Sequence, residues 1–256
     1  MKRAERIKNY IDEIKSRGVV SQKEFFILAN SYEIKNLTAR RDLVFLLEKK
    51  IISNKYGKIM LWKRNNYLEE TRDQKKYLNL DKKAKIAVAT NAKIPINKTV
   101  FVSAGTTTEE FIKNLKKPIY ELFTNSLEVF NLAVKSNYIN HLFLIGGKYR
   151  GASAALVDKS WFANAGNLTF DLCVITGTNL WEDGHIYNND KSEAEVIQMV
   201  VQRSKQVIVL MDSTKLKHAG YAKVMQLTKN NLLIVDNNLT PEQKSKLELV
   251  TELWCV

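Results

Sequence analysis

Several stretches of the chain combine residue types suited to holding an anion. Ser103-Ala104-Gly105-Thr106-Thr107-Thr108 lies between an apolar run and an amphipathic one. Small residues let the backbone approach an anion closely, a helix N-terminus offers spare N–H groups, and threonine hydroxyls add donors, so this stretch suits a phosphate. Taken alone, G-T-T is a weak signal, because the same residues make an ordinary helix cap. Two similar strand ends follow: Thr124-Asn125-Ser126 after residues 119–123, and Gly146-Gly147-Lys148 after residues 141–145. In an open parallel sheet the carboxyl ends of the strands share one edge, so the three loops are expected to converge on a single ligand. Asp212-Ser213-Thr214-Lys215, at a further strand end, adds a lysine to neutralise a phosphate and an aspartate to accept a sugar hydroxyl. Glu193 and Glu195 open another helix, where acidic side chains either suit the macrodipole or meet ligand hydroxyls. His185 and Cys173 have no partner in sequence that would make a catalytic pair, and structural roles are expected for both.

A second kind of chemistry lies near the N-terminus. Lys35-Asn36-Leu37-Thr38-Ala39-Arg40-Arg41-Asp42-Leu43 gathers cations and hydrogen-bonding groups at a helix start, the end that recognition helices turn toward base edges. Leu37, Val44 and Leu47 are expected to hold this helix to a small core, with the polar residues between them facing out. Asn36 is read as a competent N-cap. Up to Arg64, 16 Lys and Arg stand against 7 Asp and Glu, a net +9 of the chain's +13; the remaining 192 residues hold 24 against 20. So uneven a distribution points to a polyanionic partner for the first quarter of the chain.

The elements that must position these residues follow from periodicity. Residues 3–16 place Ile7, Tyr10, Ile11 and Ile14 at helical spacing, with Gly18 suited to end the helix. Ser21-Gln22-Lys23-Glu24 is a capping-box signature opening a short second helix that ends near Asn30, and the cationic helix follows after a brief turn. Residues 51–55 and 58–62 then read as a basic hairpin around Tyr56-Gly57. Three helices and a basic hairpin make a winged helix-turn-helix. In its wing Lys55, Tyr56, Lys58, Lys63 and Arg64 are placed to touch phosphates or a minor groove, whereas Trp62 is expected to pack on the first helix. A polar stretch, 65–83, reads as a linker. From Ala84 onward, short apolar runs alternate with amphipathic stretches: strands at 99–103, 119–123, 141–145, 171–176, 206–211 and 231–235, and helices at 108–115, 126–136 and 192–204. That alternation predicts a mainly parallel, covered sheet.

Composition excludes other classes. With 45% hydrophobic and 26% charged residues the chain can bury a real core, which sets aside wholesale disorder. Cys173 and Cys255 lie far apart, and His141, His185 and His218 show no metal-ligand spacing, so neither a disulfide framework nor a zinc site is expected. The apolar runs are too short to span a bilayer and no secretory signal is evident, so a cytoplasmic protein without membrane contact is expected.

The ordered set of motifs resembles the DeoR-type family of bacterial sugar-metabolism repressors. The family's N-terminal pattern, a hydrophobic residue and a few polar ones before T-I-R-R-D-L, is matched by Ile34 and Thr38-Ala39-Arg40-Arg41-Asp42-Leu43, with only the isoleucine changed, to Ala39. The sensor-domain pattern is similar to Lys83-Ala84-Lys85-Ile86-Ala87, Gly105-Thr106-Thr107, Thr124-Asn125-Ser126, Gly146-Gly147, Glu193-Ala194-Glu195 and Asp212-Ser213-Thr214-Lys215, in that order along nearly the whole chain. Three departures stand out. Ser103 occupies a place usually acidic, Ala154 or Ala155 replaces a second glycine, and the wing's paired glycines are reduced to Gly57.

The resemblance implies an α/β protein with two domains, a winged helix-turn-helix over 1–64 and, beyond the 65–83 linker, a sensor domain over 84–256 similar in fold to ribose-5-phosphate isomerase. It implies a repressor of sugar-metabolism genes, not an enzyme, released from its DNA operator by a phosphorylated sugar, with no cofactor. The expected DNA contacts are Lys35, Asn36, Thr38, Arg40, Arg41, Tyr56 and Lys58. Those expected at the ligand are Gly105, Thr106, Thr107, Thr124, Asn125, Ser126, Gly146, Gly147, Glu195 and Lys215. A single winged helix reads few base pairs, so a homo-oligomer is expected. Two other functions compete: a sugar-phosphate isomerase carrying an extra DNA-binding domain, and a DNA-binding protein whose sensor domain only oligomerises. An isomerase needs a positioned carboxylate base, and Ser103 removes the obvious candidate.

Overall fold

The computed structural model describes residues 1–61, 71–216 and 220–256, so Trp62, Lys63, Arg64 and His218 lie outside the described residues. The chain divides into two compact units, Met1–Leu80 and Asp81–Val256.

The first unit runs α1 (Arg3–Arg17), β1 (Val20–Ser21), α2 (Gln22–Ser31), α3 (Asn36–Glu48), β2 (Ile52–Lys55), β3 (Lys58–Leu61) and α4 (Arg72–Lys76). α1 buries Ile7, Tyr10, Ile11 and Ile14, the stripe its 3.6-residue period predicts, and ends at Gly18 with φ of 76°. The Ser21–Glu24 capping box closes at the start of α2: the Ser21 hydroxyl accepts the Glu24 N–H at 3.1 Å and the Glu24 carboxylate accepts the Ser21 N–H at 2.7 Å. β2 and β3 pair antiparallel across Tyr56-Gly57, both at positive φ as a tight hairpin turn demands. A third strand, the two-residue β1, pairs with β3; it is too short to carry a periodic signal in sequence.

The sequence reading of α3 needs correction in two places. Its N-cap is Lys35, with no side-chain cap bond, and Asn36 is the first helical residue. Its inward stripe is Ala39, Asp42, Leu43 and Leu46, whereas Leu37 and Val44 are 62% and 52% exposed. The segment read as a linker is also partly structured: Tyr77 and Leu78 pack against the first unit's core, and Lys49 pairs with Asp73.

The second unit continues with α5 (Leu80–Lys93), β4 (Thr99–Val102), α6 (Thr106–Lys113), β5 (Ile119–Thr124), α7 (Leu127–Ala133), β6 (Ile139–Leu144), β7 (Lys148–Arg150), β8 (Ala155–Val157) and α8 (Trp161–Asn164). It then runs β9 (Leu172–Ile175), β10 (Asn179–Leu180), β11 (His185–Asn188), α9 (Lys191–Gln202), β12 (Val207–Leu210), β13 (Ala222–Gln226), β14 (Asn231–Val235), α10 (Pro241–Val250) and β15 (Glu252–Cys255). Seven strands form one all-parallel sheet in the order β15-β14-β12-β9-β4-β5-β6. Apolar clusters cover both of its faces, one centred on Phe101, Cys173 and Val209 and the other on Val100, Leu122 and Val174. That two-sided burial is why β9 and β12 read as continuous apolar runs. A small antiparallel sheet, β10-β11-β13, and the hairpin β7-β8 were not legible in the sequence. No described helix is long and apolar enough to cross a membrane, and the described residues hold no cluster of three potential metal ligands.

Candidate functional site

From β4 the chain steps outward through β5 to β6, while β9, β12, β14 and β15 build the sheet the other way, so the strand order reverses between β4 and β9. In open α/β sheets the crevice beyond the strands' carboxyl ends at such a reversal is where ligands bind. Ser103-Ala104-Gly105 follows β4 there and Thr176 follows β9. The two ends are locked together: the buried Ser103 hydroxyl accepts the Thr176 N–H at 3.2 Å, and a Cβ on Gly105 would fall 2.2 Å from the Thr176 methyl. α6 starts at this closely packed point, with Thr107 buried and Thr106 half-buried in its first turn. Thr108 folds back to donate to the carbonyls of Ser103 and Gly105 at 2.7 and 2.8 Å.

Two lysines bring charge to this edge. Lys83, on α5, is only 2% exposed, and burial pulls its ammonium down to about 8. The nearby Asp212 opposes that shift, Lys215 adds to it, and Glu110 and Glu109 oppose it more weakly. Lys215 sits half-buried in the 3-10 turn Ser213–Lys215 after β12, and the Asp212 carboxylate caps that turn by accepting the Thr214 N–H at 3.1 Å. Beside it Lys82 bridges Ser213 at 2.7 Å and Asp236 at 3.1 Å. The Asp236 carboxyl is held below its ordinary range: its burial works against ionisation, but the Ser213 N–H and Lys82 outweigh it. A helix N-terminus near the desolvated Lys83 ammonium, which itself lies close to Lys215, favours a compact dianion over a neutral molecule.

In the first unit, Asp42 is 1% exposed and receives a two-pronged Arg6 guanidinium, Nε to Oδ2 at 2.7 Å and Nη2 to Oδ1 at 3.2 Å, with Arg3 at 3.5 Å. This contact fixes the rotation of α3 on α1 and so turns Arg40 and Arg41 to solvent. Both are exposed, and neither pairs with a carboxylate among the described residues. Lys35 and Asn36 are exposed at the helix start and Thr38 is half-buried. At the hairpin, Tyr56 is fully in solvent reach and Lys58 is exposed.

A family model for the DeoR C-terminal sensor domain matches residues 78–237. The chain belongs to the DeoR family. Over 99% of its length it is 27% identical to the lactose phosphotransferase system repressor of Lactococcus lactis, covering 98% of that protein. The glycerol-3-phosphate regulon repressor of Escherichia coli K12 is 23% identical over 98% of this chain and 97% of its own. Among solved structures, ribose 5-phosphate isomerase A from Neisseria gonorrhoeae overlaps 59% of this chain and 56% of its own at 14% identity, with a TM-score of 0.39.

In this DeoR-family chain the sheet puts the loops after β4, β5 and β6 on one edge, but several residues expected at a ligand are already engaged with protein. Asn125 accepts the Ala104 N–H at 3.2 Å and donates to the Leu156 carbonyl at 3.2 Å. Thr124 accepts the Ser126 N–H, and Ser126 caps α7 through Val129. Glu195 is half-buried and pairs with Lys159 and Lys191. Its neighbour Glu193 is the buried one, joined to Ser153 and, at 3.2 Å, to Arg150. Lys83 was missed as a site residue, although its place in the family pattern was a sequence signal for it. The pairing of Arg150 with Glu193 and, at 3.2 Å, with Asp190 had no signal in sequence. Of the two residues expected to be structural, Cys173 is buried and its thiol is pushed up to about 12 by desolvation, and His185 Nδ1 lies 2.8 Å from the Asp183 carboxylate. Ala154, near the missing second glycine, takes φ of 57°, a conformation glycine adopts with less strain.

The two loop glycines differ sharply. A Cβ on Gly147 would lie 2.8 Å from the Val157 carbonyl carbon and 2.9 Å from the Asp158 nitrogen, whereas one on Gly146 meets nothing within 4 Å. Gly147→Ala should therefore cost about 1–3 kcal/mol in urea unfolding, because backbone cannot yield as a side chain can. Gly146→Ala should stay within about 0.5 kcal/mol of wild type. Equal effects would mean that the β7–β8 hairpin does not pack on this loop.

Proposed function

We propose that this chain is a DNA-binding transcriptional repressor of genes for sugar metabolism or uptake, relieved by a phosphorylated sugar held at the reversal point of the second unit's sheet. The observation that carries this reading is the match along nearly the whole of both chains to proteins named as repressors of sugar and glycerol-phosphate systems. The charge distribution and the two-lysine site support it from independent directions. The phosphate lies over Gly105, Thr106 and Thr107 with Lys83 and Lys215 supplying charge, and Asn125 and Gly147 frame the opposite side. The protein works in the cytoplasm as a homo-oligomer, since one winged helix reads too few base pairs for a specific operator. We read the unit Met1–Leu80 as carrying the winged helix of residues 1–64, and the unit Asp81–Val256 as the sensor.

A thermal-shift series with sugar phosphates and their unphosphorylated sugars tests the site. At a hundredfold excess over Kd, a bound ligand adds about 2.7 kcal/mol, roughly 5–10 °C in Tm. The free sugars should give no comparable shift. Thr107→Val and Lys215→Met should each weaken the response, at about 1–3 kcal/mol for a charged hydrogen bond, and leave DNA affinity without ligand unchanged. Responses at wild-type concentrations in both variants would put the pocket elsewhere. Aldose–ketose interconversion of the bound compound would favour the isomerase reading, and no shift with any sugar phosphate the scaffold reading.

Lys83 gives the binding a proton signature. A value near 8 in the folded chain lies below the ordinary 10.5, so the folded protein binds fewer protons than the unfolded chain between these limits. The cost of burying this ammonium is therefore full below about pH 8 and fades as pH rises through that window. A bound phosphate is fully dianionic above about pH 7, with its second ionisation near 6, and raises the Lys83 value. Calorimetry in buffers of different ionisation heat should register uptake of about half a proton at pH 8 and much less at pH 7. The same uptake at both pH values would remove Lys83 from the phosphate's surroundings.

A further inference from the structure

The outward face of α3 is not a simple charged face. Leu37, Arg40, Arg41 and Val44 stand at i, i+3, i+4 and i+7, a single stripe opposite the buried Ala39, Asp42, Leu43 and Leu46. All four are exposed, with Leu37 the most open of the two aliphatics. By contrast, every large apolar side chain of α1 is buried and its outward residues are charged, polar or Ala4. Single exposed apolar residues are common on proteins and mean little. Here two of them flank a pair of arginines that have no carboxylate partner among the described residues, in a segment carrying +9, so a polyanion is the occupant whose charge this stripe complements.

A polyanion that also rewards a branched aliphatic side chain is duplex DNA, whose major groove exposes the C5 methyl of thymine beside the O6 and N7 acceptors of guanine. Resting on the DNA-binding reading above, we infer that Leu37 is a specificity-determining residue that packs against a thymine methyl while Arg40 or Arg41 engages a guanine close by. Leu37 lies in the first turn of α3, the end that recognition helices direct at base edges. A separation of three or four residues along a helix is about 4.5–6 Å, against roughly 3.4 Å per base-pair step, so the thymine falls within two base pairs of the guanine.

The test uses the full chain and a pool of duplexes with a randomised centre. Selected sequences should carry a thymine within two base pairs of a guanine in each half-site. In fluorescence-anisotropy titrations of a selected duplex, replacing that thymine by deoxyuridine removes one methyl group and should weaken the wild type roughly fourfold. Leu37→Ala should bind the thymine and deoxyuridine duplexes equally; the side chain is exposed, so its Tm should match wild type. Indifference of the wild type to the methyl at every thymine would overturn the inference, and so would an undiminished deoxyuridine penalty in Leu37→Ala. Failure of the wild type to enrich any sequence would overturn the DNA-binding reading itself, and the inference with it.

Discussion

Arg40→Ala combined with Arg41→Ala is expected to abolish sequence-specific DNA binding while leaving the fold and the sugar-phosphate response in place. Both guanidinium groups face solvent, and neither has a carboxylate partner to lose among the described residues, so their removal should shift stability by less than about 0.5 kcal/mol. Each bidentate contact to a guanine is worth about 1–3 kcal/mol, which for the pair amounts to roughly a thirtyfold to twenty-thousandfold loss. The single variants separate two kinds of contact. Loss of a base reader relaxes preference at one operator position, whereas loss of a phosphate contact weakens all sequences alike and lowers the salt slope by about one. Binding curves at two salt concentrations, on specific and scrambled duplexes, make that distinction. An unchanged operator affinity in the double variant would remove α3 from the DNA.

The same helix shows where sequence reading stops. Ala39-Asp42-Leu43-Leu46 and Leu37-Arg40-Arg41-Val44 have identical helical spacing and lie two residues apart in phase, close to opposite sides of the cylinder. Periodicity alone assigns either to the core. Counting bulky aliphatics does not decide between them, since each stripe holds two, Leu43 and Leu46 against Leu37 and Val44, and Asp42 counts as surface. The deciding fact is non-local: Arg6, 36 residues earlier, neutralises Asp42 and allows it to be buried. Lys83 is a similar case in the second unit: the family pattern includes it together with Lys85, and periodicity does not single it out until the turn after β12 is brought against it. The parts that were legible are governed by local rules: the capping box at Ser21 and Glu24, the Tyr56-Gly57 turn, and the apolar runs that became β9, β12 and β14. Asn125 and Ser126 lie between these cases. Sequence placed them at the correct strand end, but a polar side chain bound to backbone and one bound to ligand look alike until the partners are seen.

Asp42 also yields the largest expected stability effect. Although it belongs to the T-A-R-R-D-L run that suggests DNA contact, it is buried and directed at α1. Its attraction raises the Arg6 guanidinium above its already high ordinary value, through the hydrogen bond first and despite the cost of desolvating the arginine. Asp42→Ala would leave Arg6, whose side chain is 15% exposed, with only the Met1 carbonyl at 3.0 Å as acceptor and no counter-charge from Asp42, at a cost of about 3–5 kcal/mol for a broken buried pair. Hydrogen exchange over α1 and α3 should then lose protection by roughly a hundredfold or more, with the second unit unaffected. DNA affinity should fall because less of the first unit is folded, so a lower temperature should partly restore it, unlike the loss in the Arg40 and Arg41 variants. A hydrophobic replacement of both partners, Arg6→Met with Asp42→Leu, should recover most of the stability, since a buried ion pair contributes little once its own desolvation is counted. Full protection in Asp42→Ala would mean that helix packing alone, without this pair, sets the rotation of α3.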